Sequence, residues 1–408
     1  MLATMTERAF HHRSQLRNTV FIGITGSCGK TTTRDLSACL LQPDFRGLRS
    51  PDDGNCGSQL VHHVLRVKPN DNFCIQELGA WGPGTLDAGL ELVQPHIGVV
   101  LNVRNDHYSS FRGLKHTQAE KAKVVRVLPS TGTAILNTDD PYVWQMRHWT
   151  SASVLGFGLH PDADLRAERI RSVWPERLSF YLSYRGKMHL VQTQLLGEHL
   201  VGSALAALAI AVVMGIPLNT AITRLAAAPP TPRRMNPVFL ESGLTFIRDD
   251  FKATNDSKSE IVRFLMQARA KRKIAVLGRI SDHPGRSRRA YAAFATAVAD
   301  VVDMLILVGE RPEDLWGRHR RSSPDFFADF ASSHAKVHLF ETVRDASSYL
   351  RDELRMDDLV LLKGSGVSDH LERILLQFQM TVQCWKTRCG QIIACDSCAM
   401  LNRTAEPG

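Results

Sequence analysis

The chain has 408 residues, 44% hydrophobic and 22% charged, the balance of an ordinary soluble protein of two or three domains. No stretch approaches ~18 consecutive apolar residues and the polar, His- and Arg-rich start lacks an apolar signal core, so membrane insertion is not expected and a cytoplasmic location follows. The net charge of +9 suits anionic small-molecule ligands, while the scattered basic residues carry no interleaved aromatic stripe and argue against a nucleic-acid partner.

Residues 1–18 read as an N-terminal extension. From there strands and helices alternate. Val20–Ile24 predicts a strand, followed by a helix to Leu41, a strand Phe73–Glu77, a helix near Thr85–Leu92 and a strand Ile97–Asn102. A helix Thr117–Leu128 and a strand Thr133–Leu136 continue the series, the rhythm of a parallel sheet covered by helices. Short alternating runs from about Val154 to Leu195 predict antiparallel strands, and Gly202–Met214 predicts an alanine-rich helix. The stretch Ala226–Pro237 holds Pro229, Pro230, Pro232 and Pro237 and reads as a domain boundary. Beyond it, strands at Phe246–Ile247, Ile274–Leu277, Met304–Val308, Val337–Phe340 and Leu359–Leu362 predict a smaller Rossmann-like sheet. The expected organisation is therefore an α/β P-loop ATP-binding domain over 19–230, an α/β domain over 231–380, and a Cys-rich tail over 381–408.

The most specific motif lies after the first strand. Gly23-Ile24-Thr25-Gly26-Ser27-Cys28-Gly29-Lys30-Thr31 satisfies G-x-x-x-x-G-K-[ST] in a strand–loop–helix setting. Glycines let backbone N–H groups converge on phosphates, Lys30 reaches the β/γ-phosphates, and the Thr31 hydroxyl meets Mg²⁺. Glu77, ending a neighbouring strand, offers the oxygen ligand that Mg²⁺ prefers.

With these residues in place, the chain resembles the Mur ligase superfamily, on its MurF-like branch, over roughly 19–380. Thr25–Thr32 resembles T-G-[ST]-x-G-K-T-T, Ser50–Asn55 with Gly57 a loop before an N-x-G turn, Gln76–Ala80 the E-[LM]-G strand end, and Asn102 with Asp106-His107 the N-[IV]-x(n)-D-H element. Glu120–Lys123, Leu136–Pro141 and Lys363-Gly364-Ser365 resemble three further segments in the same order. The resemblance implies an ATP-dependent amide ligase that activates a carboxylate as an acyl phosphate for attack by an amine. It implies two Mg²⁺ ions, held by Thr31, Glu77, His107 and a carbamylated Lys123; Lys121, on another helix face, is read as the solvated partner, and an unmodified Lys123 is the alternative. It places Asn137, Asp140 and His199 near the nucleotide, Arg234 on the γ-phosphate as the domains close, and Asp250 at the ribose or linker. Two positions depart from the pattern. Leu200 and Ser203 stand where the family commonly has asparagine.

Only about 18 residues precede the first strand, which leaves no room for the UDP-sugar domain of cell-wall MurF enzymes and keeps poly-amino-acid or specialised-metabolite ligation open. A scaffold derived from a ligase is the other alternative. The basic cluster Arg279–Arg289 is either a solvated loop or a substrate loop. In the tail, Cys384-x4-Cys389-x5-Cys395-x2-Cys398 either holds a Zn²⁺ or consists of free thiols. Cys28, Cys39, Cys56 and Cys74 read as small apolar fillers, with Cys28 in the phosphate loop also open to oxidation. Oligomeric state has no signal in the sequence.

Overall fold

The structure, a computed structural model, describes residues 2–51, 57–105, 108–254, 257–280, 287–309, 334–387, 389–391 and 393–402. It divides into two compact units: Met1–Ser172 with Arg177–Thr231, and Val173–Glu176 with Pro232–Gly408.

The first unit is built on a nine-stranded sheet. Its strands are β1 (Val20–Thr25), β2 (Gly47–Arg49), β3 (Phe73–Glu77), β4 (Ile97–Val100) and β5 (Thr133–Asn137), then β6 (Ser153–Gly158), β7 (Leu165–Arg171), β8 (Ser179–Tyr184) and β9 (Lys187–Gln192). The order is β2-β3-β1-β4-β5-β6-β7-β8-β9. Pairing is parallel from β2 through β7 and antiparallel only at β7–β8 and β8–β9. The antiparallel run expected from Val154 thus starts later, at β7. β1 sits centrally, with Ile22 between Ile75 of β3 and Ile97 of β4. Its unbroken apolar sequence is that of a strand buried on both faces. Because β3 and β4 flank β1 on opposite sides, the carboxyl end of β1 lies where open α/β sheets bind ligands.

Two local expectations change. The first residues form a helix, Leu2–Gln15, that belongs to this unit. Ala9 and Leu16 are buried in the core that also receives Met5 and Phe10. Arg13 donates to the Val93 and Gln94 carbonyls at 2.9 and 3.0 Å, closing the C-terminus of the helix Asp87–Val93, and covers Phe21 at 3.9 Å from its centroid. The apolar stripe is too thin to stand out in so basic a segment. The single helix expected over Thr117–Leu128 is instead two, Leu114–Lys121 and Lys123–Arg126, separated at Ala122. Ala122 N–H is shared between the Gln118 and Glu120 carbonyls, a local tightening of the turn.

The second unit has a six-stranded sheet of β10 (Asn236–Phe239), β11 (Thr245–Asp249), β12 (Arg272–Leu277), β13 (Met304–Val308), β14 (Lys336–Phe340) and β15 (Asp358–Lys363). The order is β10-β11-β15-β12-β13-β14, parallel except for the β10–β11 edge hairpin. β15 is buried along its whole length, and Val360 and Leu362 join Phe246, Ile274 and Ile306 in the core.

Candidate nucleotide site

The phosphate loop and its neighbouring oxygen ligand lie at the carboxyl ends of β1, β3 and β4. After Thr25 the chain turns sharply at Gly26 (φ +153°), where a Cβ would come within 2.9 Å of the Leu101 side chain. Gly29 is left-handed (φ +84°) and opens the helix Lys30–Leu41. The N-terminal amides of that twelve-residue helix face the loop. Lys30 folds back so that Nζ donates to the Gly26 carbonyl at 2.7 Å. Thr31 Oγ1 lies 3.4 Å from Glu77 Oε2, so the two oxygens expected to hold Mg²⁺ are adjacent. Thr32 is buried beneath the loop.

Glu77 is held by residues that the motif does not contain. Fully buried Arg34 places Nη1 3.0 Å from Glu77 Oε1, and Ser50 Oγ accepts the Glu77 N–H at 3.1 Å. Arg34 is itself braced by Asp35 at 2.6 Å. One carboxylate oxygen is thereby anchored while the other faces Thr31.

Asn102 clamps the loop from the segment that follows β4. Its Oδ1 accepts the Cys28 N–H at 3.0 Å and its Nδ2 donates to the Cys28 carbonyl at 3.1 Å. Ser27 adds two bonds to the same segment, from its N–H to the Asn102 carbonyl and from Arg104 N–H to its Oγ. Cys28 is exposed at the loop tip, unlike the buried filler expected; Cys74 is buried and Cys39 half-buried, and Cys56 lies outside the described residues. Asn102→Ala removes both bonds to Cys28, which costs about 1–2 kcal/mol of local order. A rise of about tenfold in KM for ATP is expected from steady-state kinetics, with Asn102→Asp in between; an unchanged KM would show that the loop keeps its shape without the clamp.

Asn137 and Asp140 are placed one layer back. Asn137 Nδ2 donates to the Leu101 carbonyl at 2.8 Å, and its Oδ1 accepts the Asp139 N–H. Asp140 caps the short helix Pro141–Trp144 through Tyr142 and Val143 N–H, and its Oδ2 accepts the Val103 N–H at 2.7 Å. Together they fix the segment carrying Asn102. His199, on a turn before the helix Val201–Val213, packs its ring over Gly197 (φ +96°). Ser203 on that helix reaches the phosphate loop, its Oγ 3.4 Å from the Gly29 carbonyl.

The two lysines reverse the expected exposure. Lys121 is fully buried, whereas Lys123 is 29% exposed and binds Asp87 and Glu120 at 2.5 and 2.9 Å. Burial disfavours the Lys123 charge, but both carboxylates outweigh it and raise its pKa. Glu120 is fixed in turn by the N–H groups of Gly84 and Leu86. His107, like Asp106 and most of the Arg279–Arg289 cluster, lies outside the described residues.

In the second unit Asp250, expected at the ribose or linker, lies in a buried ion-pair cluster. It is fully buried, and Arg248 binds its two oxygens at 3.0 and 3.3 Å. Glu372 joins them, 2.9 Å from Arg248 Nη2 and 3.3 Å from Arg233 Nε. Arg233 (φ +63°) and Met235 (φ +47°) are left-handed without being glycine, so the backbone around Arg234 is strained. Arg234 lies over the Phe251 ring at 3.9 Å. Gly366 must lack a side chain, because a Cβ there would overlap Arg233 Nη2. Lys363 of the K-G-S segment binds Asp249 Oδ2 at 2.6 Å.

All four tail cysteines, Cys384, Cys389, Cys395 and Cys398, line one cavity of about 140 Å³, and all are free thiols.

A phosphate loop backed by a Thr–Glu oxygen pair, followed by a second α/β sheet, defines a P-loop enzyme that works on nucleoside triphosphates. The family model of the Mur ligase middle domain matches residues 24–211, and that of the Mur ligase glutamate ligase domain matches 233–366. A UDP-N-acetylmuramoyl-tripeptide–D-alanyl-D-alanine ligase of Mycobacterium tuberculosis is 31% identical over 372 residues, covering 85% of this chain and 70% of that protein. The protein of the same name from Escherichia coli is 26% identical, over 71% of this chain and 64% of that one. Among solved structures, MurF from Acinetobacter baumannii superposes with a TM-score of 0.81 at 22% identity over 92% of this chain and 80% of its own. MurF from Thermotoga maritima with ADP gives 0.78 at 20% identity, over 93% and 83%. The chain belongs to the Mur ligase family. It is accordingly an ATP- and Mg²⁺-dependent ligase of the acid–amino-acid class. Among the described residues no helix is long and apolar enough to cross a membrane.

Proposed function

We propose that the chain catalyses a MurF-type ligation, joining the carboxylate of a UDP-N-acetylmuramoyl-tripeptide to the amine of D-alanyl-D-alanine. The observation that carries this reading is the intact phosphate loop with its Thr31–Glu77 pair, in a chain whose relatives bear that ligase name along most of its length. A carboxylate oxygen attacks the γ-phosphorus and ADP leaves. The amine nitrogen then attacks the acyl carbon, the bond from that carbon to the bridging oxygen breaks so that the oxygen leaves with inorganic phosphate, and the amine proton passes to solvent.

Lys30 moves its donor from the Gly26 carbonyl to the β/γ-phosphates, and the amides of Gly26–Thr32 bind their oxygens. Mg²⁺, when bound, neutralises charge on the transferring phosphoryl group. Thr31 and Glu77 are the residues to hold it, and His107 with a carbamylated Lys123 is assigned to a second ion. His199 is assigned to the adenine side and Arg234 to phosphate.

The test follows ADP, AMP and phosphate with each substrate alone and both together. ADP and phosphate in equal amounts, only when both are present, is the expected result; AMP release, or ADP formation indifferent to the amine, overturns it. Lys121→Ala and Lys123→Ala assayed alongside assign the second ion, since only the true ligand shifts the Mg²⁺ dependence.

A further inference from the structure

We propose that Cys384, Cys389, Cys395 and Cys398 bind one Zn²⁺ ion, and that this ion fastens the tail onto the buried charge cluster around Arg248 and Glu372. The tail lies past residue 366, where the family match ends. Among its described residues the only regular element is a 3₁₀ turn, Cys395–Ser397. Its own apolar core is slight: Val382, Cys395 and Leu401 are buried against Leu376, with Trp385 alongside. So few buried groups cannot offset the entropy of ordering some twenty residues, and small irregular segments of this kind are held by disulfides or a metal. The tail cysteines are free thiols, so no disulfide holds it.

The four thiols share one cavity without closing on a point: among the described residues the metal-ligating atoms that lie within 4.8 Å of one another are those of His370, Glu372 and Cys395, so the ion has to draw the sulfurs together. On a 3₁₀ turn side chains three apart eclipse, so Cys395 and the Cys398 that ends the turn present their sulfurs on one side. Cys389 is followed by left-handed Gly390 (φ +67°), which reverses the chain. Hydrogen bonds from Gln383 and Cys384 N–H to the Leu401 carbonyl bring the first cysteine back against the end of the tail. All four side chains border the same cavity. Tetrathiolate sites select Zn²⁺, and binding releases the thiol protons to solvent. Four thiolates around a divalent ion leave a net charge of about 2−, and cations stand ready to balance it. Arg373 Nε donates to Cys395 Sγ at 3.2 Å, and Arg373 and Lys386 line the cavity. His370 lies 3.5 Å from Cys395 Sγ through Nδ1 and 3.7 Å from Cys389 Sγ through Nε2. One ion cannot use both nitrogens of a single ring, so His370 is placed as a hydrogen-bond partner of the thiolates.

The same turn makes the connection inward. Asp396, between the last two cysteines, accepts from Arg248 Nη1 at 2.9 Å, and Cys395 N–H donates to Glu372 Oε1. Arg248 and Glu372 are the residues that also hold Asp250 and Arg233. The metal therefore orients the turn that completes this cluster.

The experiment uses the full chain made in zinc-supplemented medium and dialysed against metal-free buffer. Elemental analysis is expected to find about one Zn²⁺ per chain, none in the Cys395→Ser/Cys398→Ser variant, and an unchanged content in Cys28→Ser and His370→Ala. Loss of zinc in His370→Ala overturns the four-thiolate set, and absence of zinc from the wild type, or iron with visible charge-transfer bands, overturns the site. Because the double variant can fail to fold, Co²⁺ exchange into the wild type is the second measurement. Intense sulfur-to-cobalt absorption supports the site, and its absence overturns it. Removing the ion by chelation is expected to speed tryptic cleavage at Lys386 at least tenfold; an unchanged rate overturns the fastening.

Discussion

Replacing Lys30 with alanine is expected to lower ADP formation by about 10²–10³-fold, the range for loss of one preorganised donor to a developing charge. The side chain is the one cation that the phosphate loop itself contributes, and its Nζ rests on the Gly26 carbonyl 2.7 Å away, within the loop it closes. Phosphoryl transfer needs positioning and charge compensation above all, so kcat should fall more than ATP affinity. Calorimetric ATP binding alongside a coupled ADP assay separates the two. Arginine is not a conservative replacement, because its planar fork cannot pack where a point charge on a flexible stem fits. More than a tenth of wild-type turnover in the alanine variant would sink the assignment.

The second large effect is on stability. Arg248→Met is expected to cost about 3–5 kcal/mol, because it leaves two fully buried carboxylates facing each other with only Arg233 between them. Asp250 and Glu372 are 0% and 1% exposed, and neither can recover solvation by turning outward. Burial already raises the Glu372 pKa against the pull of Arg233 and Arg248. Denaturant unfolding of the full chain would measure the loss; a change under about 1 kcal/mol would show that water enters and screens the cluster.

What the sequence made legible was local. The phosphate loop needs glycines, a lysine and a hydroxyl within nine residues, and the apolar run Val20–Ile24 announces its strand. The residues that make those groups work come from far along the chain. Asn102 is 74 residues from Cys28, and Glu372 is 124 from Arg248, separations at which no spacing rule operates. The Lys121–Lys123 pair fell between these cases. Two positions on one helix do point apart, and the spacing alone does not say which of them is buried. Asp250 read as a site acid from the family resemblance of the segment that follows the strand; its partner is an arginine two residues earlier, ordinary in sequence and decisive only once both are buried.

The overlap between Gly366 and Arg233 couples two positions that the sequence sets far apart. A Cβ at 366 would run into Arg233 Nη2 and lie 2.9 Å from the Asp250 carbonyl, so the guanidinium would have to leave its place beside Glu372. Gly366 is therefore the room in which that arginine lies, and the absence of a side chain at one position is what gives the other its partner.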